Sequence, residues 1–305
     1  MKFVVSLLLA LHIAAPAAHA SLRVFACEPE WAALAKEIGG DRVETVSATT
    51  PDQDAHYIQA RPSLIAQVRR ADLVFCTGAD LEVGWLPVLL RQAGNGKVQP
   101  GQLGFLDASS AVKLLEPPTS VDRAQGDVHP FGNPHIQTDP RNIALVAAAL
   151  AERLQKLDPI NANSYAQRAV EFKARWSQAL ARWTEQTKPL KGVSIVTHHR
   201  SFIYLENWLG VEDAGNLEPK PGIEPTAGHL AELTEQVRAK KVQAIVRSSY
   251  HDARASEWLA GRTGVQAIVL PHTVGSVPEA DTLEHMFDAI IARLLAAQAQ
   301  ARGRP

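Results

Sequence analysis

Two parallel-sheet α/β lobes joined by one long backbone helix make the fold class this sequence predicts, and three observations carry it. Short apolar, strand-like runs alternate with helix-patterned segments in the first 120 residues, at the spacing of a parallel sheet. The same alternation returns after residue 190. Between them, residues 160–187 contain no Gly or Pro, and Tyr165, Ala169, Phe172, Trp176, Leu180 and Trp183 recur at three- and four-residue steps. A helix of about 28 residues is roughly 40 Å long at about 1.5 Å per residue. That is too long for an ordinary crossover and predicts a rod between lobes.

In chain order, residues 1–20 form a leader. Lys2 gives the positive start, residues 3–15 are largely apolar, and Ala18-His19-Ala20 has the small-x-small form of a cleavage site. The apolar run is too short for a membrane span, which needs roughly twenty residues, and no other segment is long and apolar enough to cross a bilayer. The expectation is a soluble, exported, periplasmic protein beginning at Ser21. A lipoprotein signal at Val24-Phe25-Ala26-Cys27 is the weaker reading, because Phe25 stands where a small residue is usual.

Residues 21–158 form the expected N-terminal lobe. Residues 22–26 read as a strand, 31–38 as a helix closed by Gly39-Gly40, and 43–48 as a second strand. A polar loop, 49–57, carries His56, and Arg61-Pro62-Ser63 opens a helix over 64–70. A strand follows over 71–76, then a helical pattern over 81–93 with Pro87 as a blemish, and a Gly/Asn/Pro-rich loop over 94–104. A short strand is expected within 105–115. The loop GDVHPFGNPHIQTDPRN then presents His129 and His135 on a proline-stiffened segment. Asp139 as N-cap and Pro140 in the first turn start a helix over 142–157.

Residues 159–188 are the linking helix, and 189–305 the C-terminal lobe. There a strand over 192–197 ends at His198-His199, and a short helix includes 206–209. A long Pro-rich loop over 215–228 precedes a helix over 229–240. Strand 244–246, helix 253–263, strand 265–270 and helix 282–296 complete the chain, with a frayed tail over 302–305. Glu218, Lys220 and Glu224 belong to a solvated loop in this reading, one that lines the cleft mouth or meets a partner in the other.

Net charge is −1, and loss of Lys2 with the leader brings it to −2, since −1 minus 1 is −2. That near-neutral balance gives no case for nucleic acid or an anionic membrane surface. Cys27 and Cys76 each follow a strand-like run. A single disulfide suits an exported chain, and two buried thiols remain the alternative.

The chemistry lies in the histidines. His56, His135, His199 and His272 each sit in, or at the start of, a loop that follows a strand-like or extended segment. Ligands of open α/β sheets bind outside the carboxyl ends of the strands, so lobes facing across a rod would bring such loops into one cleft. Converging imidazoles suit zinc. Manganese sites lean on carboxylates, which makes Mn2+ the lesser candidate, while copper(II) and nickel would also bind such a set in vitro. Asp54 and Glu82 are candidates to hold the second ring nitrogen of a ligand. His229 and His285 fall within helices, and His251, in Tyr250-His251-Asp252, is an outside candidate.

These residues resemble the zinc- and manganese-binding solute receptors of bacterial ABC importers. The resemblance covers nearly the whole mature chain. It rests on His56, on ADLVF followed by Thr77-Gly78 and Leu81-Glu82, on GNPH followed by DPRN, on the long helix, and on HRSFIY from His199. It implies two lobes on a rigid helix, small lobe movements, an interlobe metal site, and a membrane permease as partner of a monomeric receptor. It places His56, His135 and His199 on three ligand positions, with His199 preferred to His198 for its spacing to Phe202. Relatives place an aspartate in the loop after the last strand. Here that loop reads LPHTVG, so His272 is the natural substitute, with water and His129 as the alternatives. No histidine- and acid-rich insertion is present, and His129 with Asp127 and Asp122 would make only a weak secondary capture site.

Two rivals stand beside this reading. One is a secreted zinc hydrolase, which shares the three-histidine pattern but would need a general base that the sequence does not offer, and no His-Glu-x-x-His helix is present. The other is a receptor for an organic or chelated ligand.

Overall fold

The computed structural model describes residues 21–119 and 126–303. The expected leader, Asp122 and the last two residues of the tail lie outside them. The first lobe runs β1 (Leu22–Ala26), α1 (Pro29–Gly39), β2 (Val43–Ser47), α2 (Pro62–Arg70), β3 (Leu73–Cys76), α3 (Leu86–Ala93) and β4 (Phe105–Asp107). Then come α4 (Pro140–Leu157) and the rod, α5 (Ala162–Gln186). The second lobe runs β5 (Ser194–Thr197), α6 (Ile203–Leu209), β6 (Glu212–Asn216), α7 (Ala227–Ala239), β7 (Ala244–Arg247), α8 (Ala253–Thr263), β8 (Ala267–Val269) and α9 (Leu283–Arg302). Among the described residues no helix is long and apolar enough to cross a membrane.

Each lobe holds a four-stranded, all-parallel sheet, ordered β2-β1-β3-β4 and β6-β5-β7-β8. Central strands are largely buried and mostly apolar, and in β3 the run Leu-Val-Phe-Cys is buried at every position. Three departures from the sequence reading have local causes. The helical pattern over 81–93 begins its helix only at Leu86, because Pro87 lacks an amide and fits the first turn. Strand β6, Glu-Asp-Ala-Gly-Asn, carries no β-forming side chain and is made by pairing with β5. Helix α9 continues past residue 296 to Arg302.

The rod is 25 residues long, about 37 Å at 1.5 Å per residue. It is tied down along its buried face. Trp176 Nε1 donates to the Pro140 carbonyl at 2.7 Å, and Trp183 Nε1 donates to Asp288 Oδ1 at 2.7 Å. Phe172 stacks on Trp176, and Trp183 meets Phe287 of α9 with ring centroids 5.2 Å apart. One continuous hydrophobic cluster therefore runs from Val24 in β1 through α4 and α5 to Ile290 in α9. The lobes share a core as well as a connection.

Cys27 follows β1 and Cys76 ends β3, which are paired neighbours, so their Cα atoms lie 4.7 Å apart and the two form a disulfide. This resolves the alternative left by the sequence. The bridge closes 49 residues of chain, a loop whose closure stabilises the fold by about 2–4 kcal/mol. Changing both cysteines to Ser should lower stability by that amount, read as a lower urea midpoint with a slope equal to or steeper than wild type's. A midpoint equal to wild type would show that β1 and β3 need no tether.

Candidate metal centre

All the candidate ligands lie beyond the carboxyl ends of strands. His56 is in the loop after β2, and His135 precedes α4. His198 and His199 follow β5, Glu218 follows β6, His251 follows β7, and His272 follows β8. The lobes turn these ends toward each other, so loops distant in sequence meet.

His56, His135 and His199 come together as one buried trio, each offering a nitrogen within 4.8 Å of the others. Their ring centroids are 5.3–5.6 Å apart and their planes cross at 63–88°, so edges rather than faces converge. That is what in-plane nitrogen lone pairs need in order to share an ion. Two rings are oriented by carboxylates. His56 Nδ1 donates to Asp54 Oδ1 at 2.6 Å, and His199 Nδ1 donates to Glu218 Oε2 at 2.7 Å. Holding the proton on Nδ1 leaves Nε2 free as a ligand. His135 is set differently. Its amide donates to Asn133 Oδ1, Asn133 Nδ2 donates to the Arg200 carbonyl, and the Tyr204 hydroxyl donates to the Asn133 carbonyl. Its own Nε2 is buried without a hydrogen-bond partner.

Protonation follows these settings. Burial pulls the His56 imidazolium down, but the Asp54 hydrogen bond and charge outweigh it and leave the pKa above the usual 6.5. Asp54 is held at about 2, the His56 contacts overcoming its own burial. Burial, then the neighbouring histidines, push His135 well below 6.5. His135 is therefore held toward its neutral form, while His56 is held toward the protonated form with which an incoming cation competes.

The other sequence candidates divide. His129 Nε2 lies 3.2 Å from His56 Nε2, and burial followed by the neighbouring imidazoles lowers its pKa to about 4. His272 is buried against Tyr250, with its Nδ1 unpartnered. It lines, with His56 and His135, a cavity of about 30 Å³, room for one water-sized occupant. It is not among the three histidines whose nitrogens mutually approach within 4.8 Å. His198 turns away from the trio and stacks on His251, ring centroids 4.0 Å apart. Asp127 accepts the Tyr57 hydroxyl at 2.5 Å. His229 Nε2 hydrogen-bonds the Asn216 carbonyl, and His285 pairs with Asp281 on the surface. Of the two acids named as supports, Asp54 holds His56, whereas Glu82 accepts the Thr77 and Gly78 amides instead. Glu218 was missed as a support, and the polar loop around it gave no local signal of its contact with His199.

Imidazoles gathered between two lobes, two of them with their outer nitrogens fixed by carboxylates, are the equipment of a receptor that captures a metal ion. Comparison with known proteins places the chain within that class. Residues 24–297 match the family described as "Zinc-uptake complex component A periplasmic". The chain belongs to this family, the metal-binding solute receptors of ABC importers, and is a receptor rather than an enzyme. The manganese ABC transporter substrate-binding lipoprotein PsaA of Streptococcus pneumoniae is 26% identical over 242 residues, 76% of this chain and 74% of its own. The zinc-binding lipoprotein AdcA of Streptococcus pneumoniae (strain ATCC BAA-255 / R6) is 24% identical over 255 residues, 81% of this chain and 49% of its own. A crystal structure of ZnuA has TM-score 0.77 at 19% identity, covering 91% of this chain and 99% of that one. A Cd-bound periplasmic metal-binding protein from candidatus liberibacter asiaticus has TM-score 0.74 at 18% identity, covering 91% and 100%. At such identities the structures establish the fold.

Metal uptake should release a proton from His56. As pH falls, the protonated fraction of His56 rises, so affinity should begin to fall above pH 6.5 and approach a tenfold loss per unit below the raised pKa. Asp54→Asn should move the onset to lower pH and weaken binding about 10–100-fold at high pH. Titrations in buffers of different ionisation enthalpy count the protons. An onset unmoved by Asp54→Asn would show that His56 is not the competing group.

Proposed function

We propose that this protein is a periplasmic receptor for Zn2+, acting as a monomer and delivering the ion to the membrane permease of an ABC importer. The observation that carries the choice of metal is the donor set. The trio supplies nitrogen alone, with Asp54 and Glu218 each one imidazole removed from the ion. Neutral imidazoles suit zinc, while manganese draws on carboxylate oxygen. The periplasmic assignment rests on the leader at residues 1–20. Mn2+ is the second cargo to test, because relatives named for manganese and for zinc are both similar to this chain.

In this reading His56, His135 and His199 hold the ion and His272 completes the shell from the inner side. Its buried, unpartnered Nδ1 beside the small cavity supports that place. His129 faces the trio from a wider cavity of about 130 Å³, lined also by His135 and His199. From there it meets the ion first and yields it inward. The two carboxylates orient the rings and offset the charge that zinc brings into a buried site.

Calorimetric titration of chelator-stripped mature protein tests this. The tightest Zn2+ binding event should saturate at one equivalent and be at least about 100-fold tighter than Mn2+ binding, a difference of about 2.7 kcal/mol. His135→Ala should abolish the tight event. His272→Ala should weaken zinc binding at equilibrium by at least about tenfold, while His129→Ala slows association and leaves the equilibrium constant within about threefold. The reverse pattern would move the fourth ligand to His129, and tighter manganese binding would overturn the choice of cargo.

A further inference from the structure

A second group of metal-ligating side chains lies beside the first and has only Glu218 in common with it. His198, Glu218 and His251 each offer a ligand atom within 4.8 Å of the others. They follow β5, β6 and β7, which are adjacent strands in the order β6-β5-β7, so all three come from one sheet edge in one lobe. The backbone fixes two of them. The His198 amide donates to the Val246 carbonyl at 2.7 Å, and the Glu218 amide donates to the His198 carbonyl at 3.1 Å. His198 is 5% exposed, and its Nδ1 is buried with no hydrogen-bond partner. A buried polar nitrogen left unpaired is costly.

We propose that His198, His251 and Glu218 form a second site for a divalent transition-metal ion, wholly within the C-terminal lobe and sharing Glu218 with the first. Two imidazoles and a carboxylate suit zinc and the neighbouring late first-row ions. Glu218 Oε2 already accepts from His199 Nδ1 at 2.7 Å and from the Gly222 amide at 2.8 Å, which leaves its other oxygen to the second ion. His251 Nδ1 accepts a long hydrogen bond, 3.2 Å, from the Ser248 amide. That bond keeps the ring proton on Nε2, so an ion on His251 displaces the amide and one ring of the 4.0 Å stack must turn. The site is therefore weaker than the first. It also draws on the carboxylate that orients His199, so filling it loosens the first site, a useful property in a receptor that must release its cargo.

The test uses stripped mature protein titrated with Zn2+, and with Co2+ followed by absorbance. His251→Phe keeps a ring against His198 and removes both nitrogens, and His198→Phe repeats the test from the other side of the stack. Wild type should take up two equivalents, the second at least about tenfold more weakly. Each Phe variant should lose only the weaker event at an unchanged melting temperature, and His135→Ala should lose only the tighter one. A single equivalent in wild type, or a weak event that survives both Phe variants, overturns the proposal. A weak event without a tight one supports this site and overturns the receptor reading built on the first.

Discussion

An imidazole presents a lone pair from one nitrogen only when its proton is kept on the other, and a buried cation needs several such lone pairs aimed at one point. Asp54 and Glu218 meet that requirement for His56 and His199 at 2.6 and 2.7 Å. Without them each ring could exchange tautomers or turn, and its nitrogen would face the trio only part of the time. The carboxylates also lie close enough to offset an incoming double charge without occupying a ligand position. One comes from the loop after β2 and the other from the loop after β6, so the site exists only while the two lobes keep their register.

The rod and the shared core keep that register. Trp176 and Trp183 fasten α5 to the start of α4 and to α9, and the hydrophobic cluster is continuous across both lobes. Near the site the lobes are stitched by polar contacts. Thr273 donates to Glu30 Oε2 at 2.5 Å, Ser249 donates to the Pro51 carbonyl, and Arg200 pairs with Glu116. Glu30 is pushed up to about 7 by burial, and the Thr273 hydroxyl satisfies its oxygen whichever form it takes. Wide hinge opening would break these contacts and split the core. Selectivity in such a frame comes from the donor set and from loop adjustment.

The alternation of apolar runs and amphipathic segments was legible because parallel strands and their crossover helices have distinct periods. The rod was legible because a long tract free of Gly and Pro, with aromatics on one face, has few other uses. His56, His135 and His199 were legible from a shared position beyond extended segments. Glu218 and β6 were not. A strand written Glu-Asp-Ala-Gly-Asn is specified by its neighbour β5 rather than by its own residues. Glu218 lies in a Pro-rich loop whose path back to His199 is fixed by long-range pairing. For the fourth position the sequence favours His272, by its place after the last strand, over His129, and the structure sets the two apart by burial and by distance from His56.

The His198-His199 doublet shows how one short segment serves two constellations. Residues at the end of a strand alternate in direction. His199 therefore faces His56 and His135, while its neighbour His198 lies flat on His251. The sequence offers two histidines for what resembles a single ligand position, and the spacing to Phe202 selects one of them. Strand geometry accounts for the other: it stacks on His251 and still lies near the Glu218 carboxylate, which both constellations reach. Glu218 can be drawn toward one side only by relaxing its hold on the other, and that competition links whatever occupies the second group to the affinity of the first.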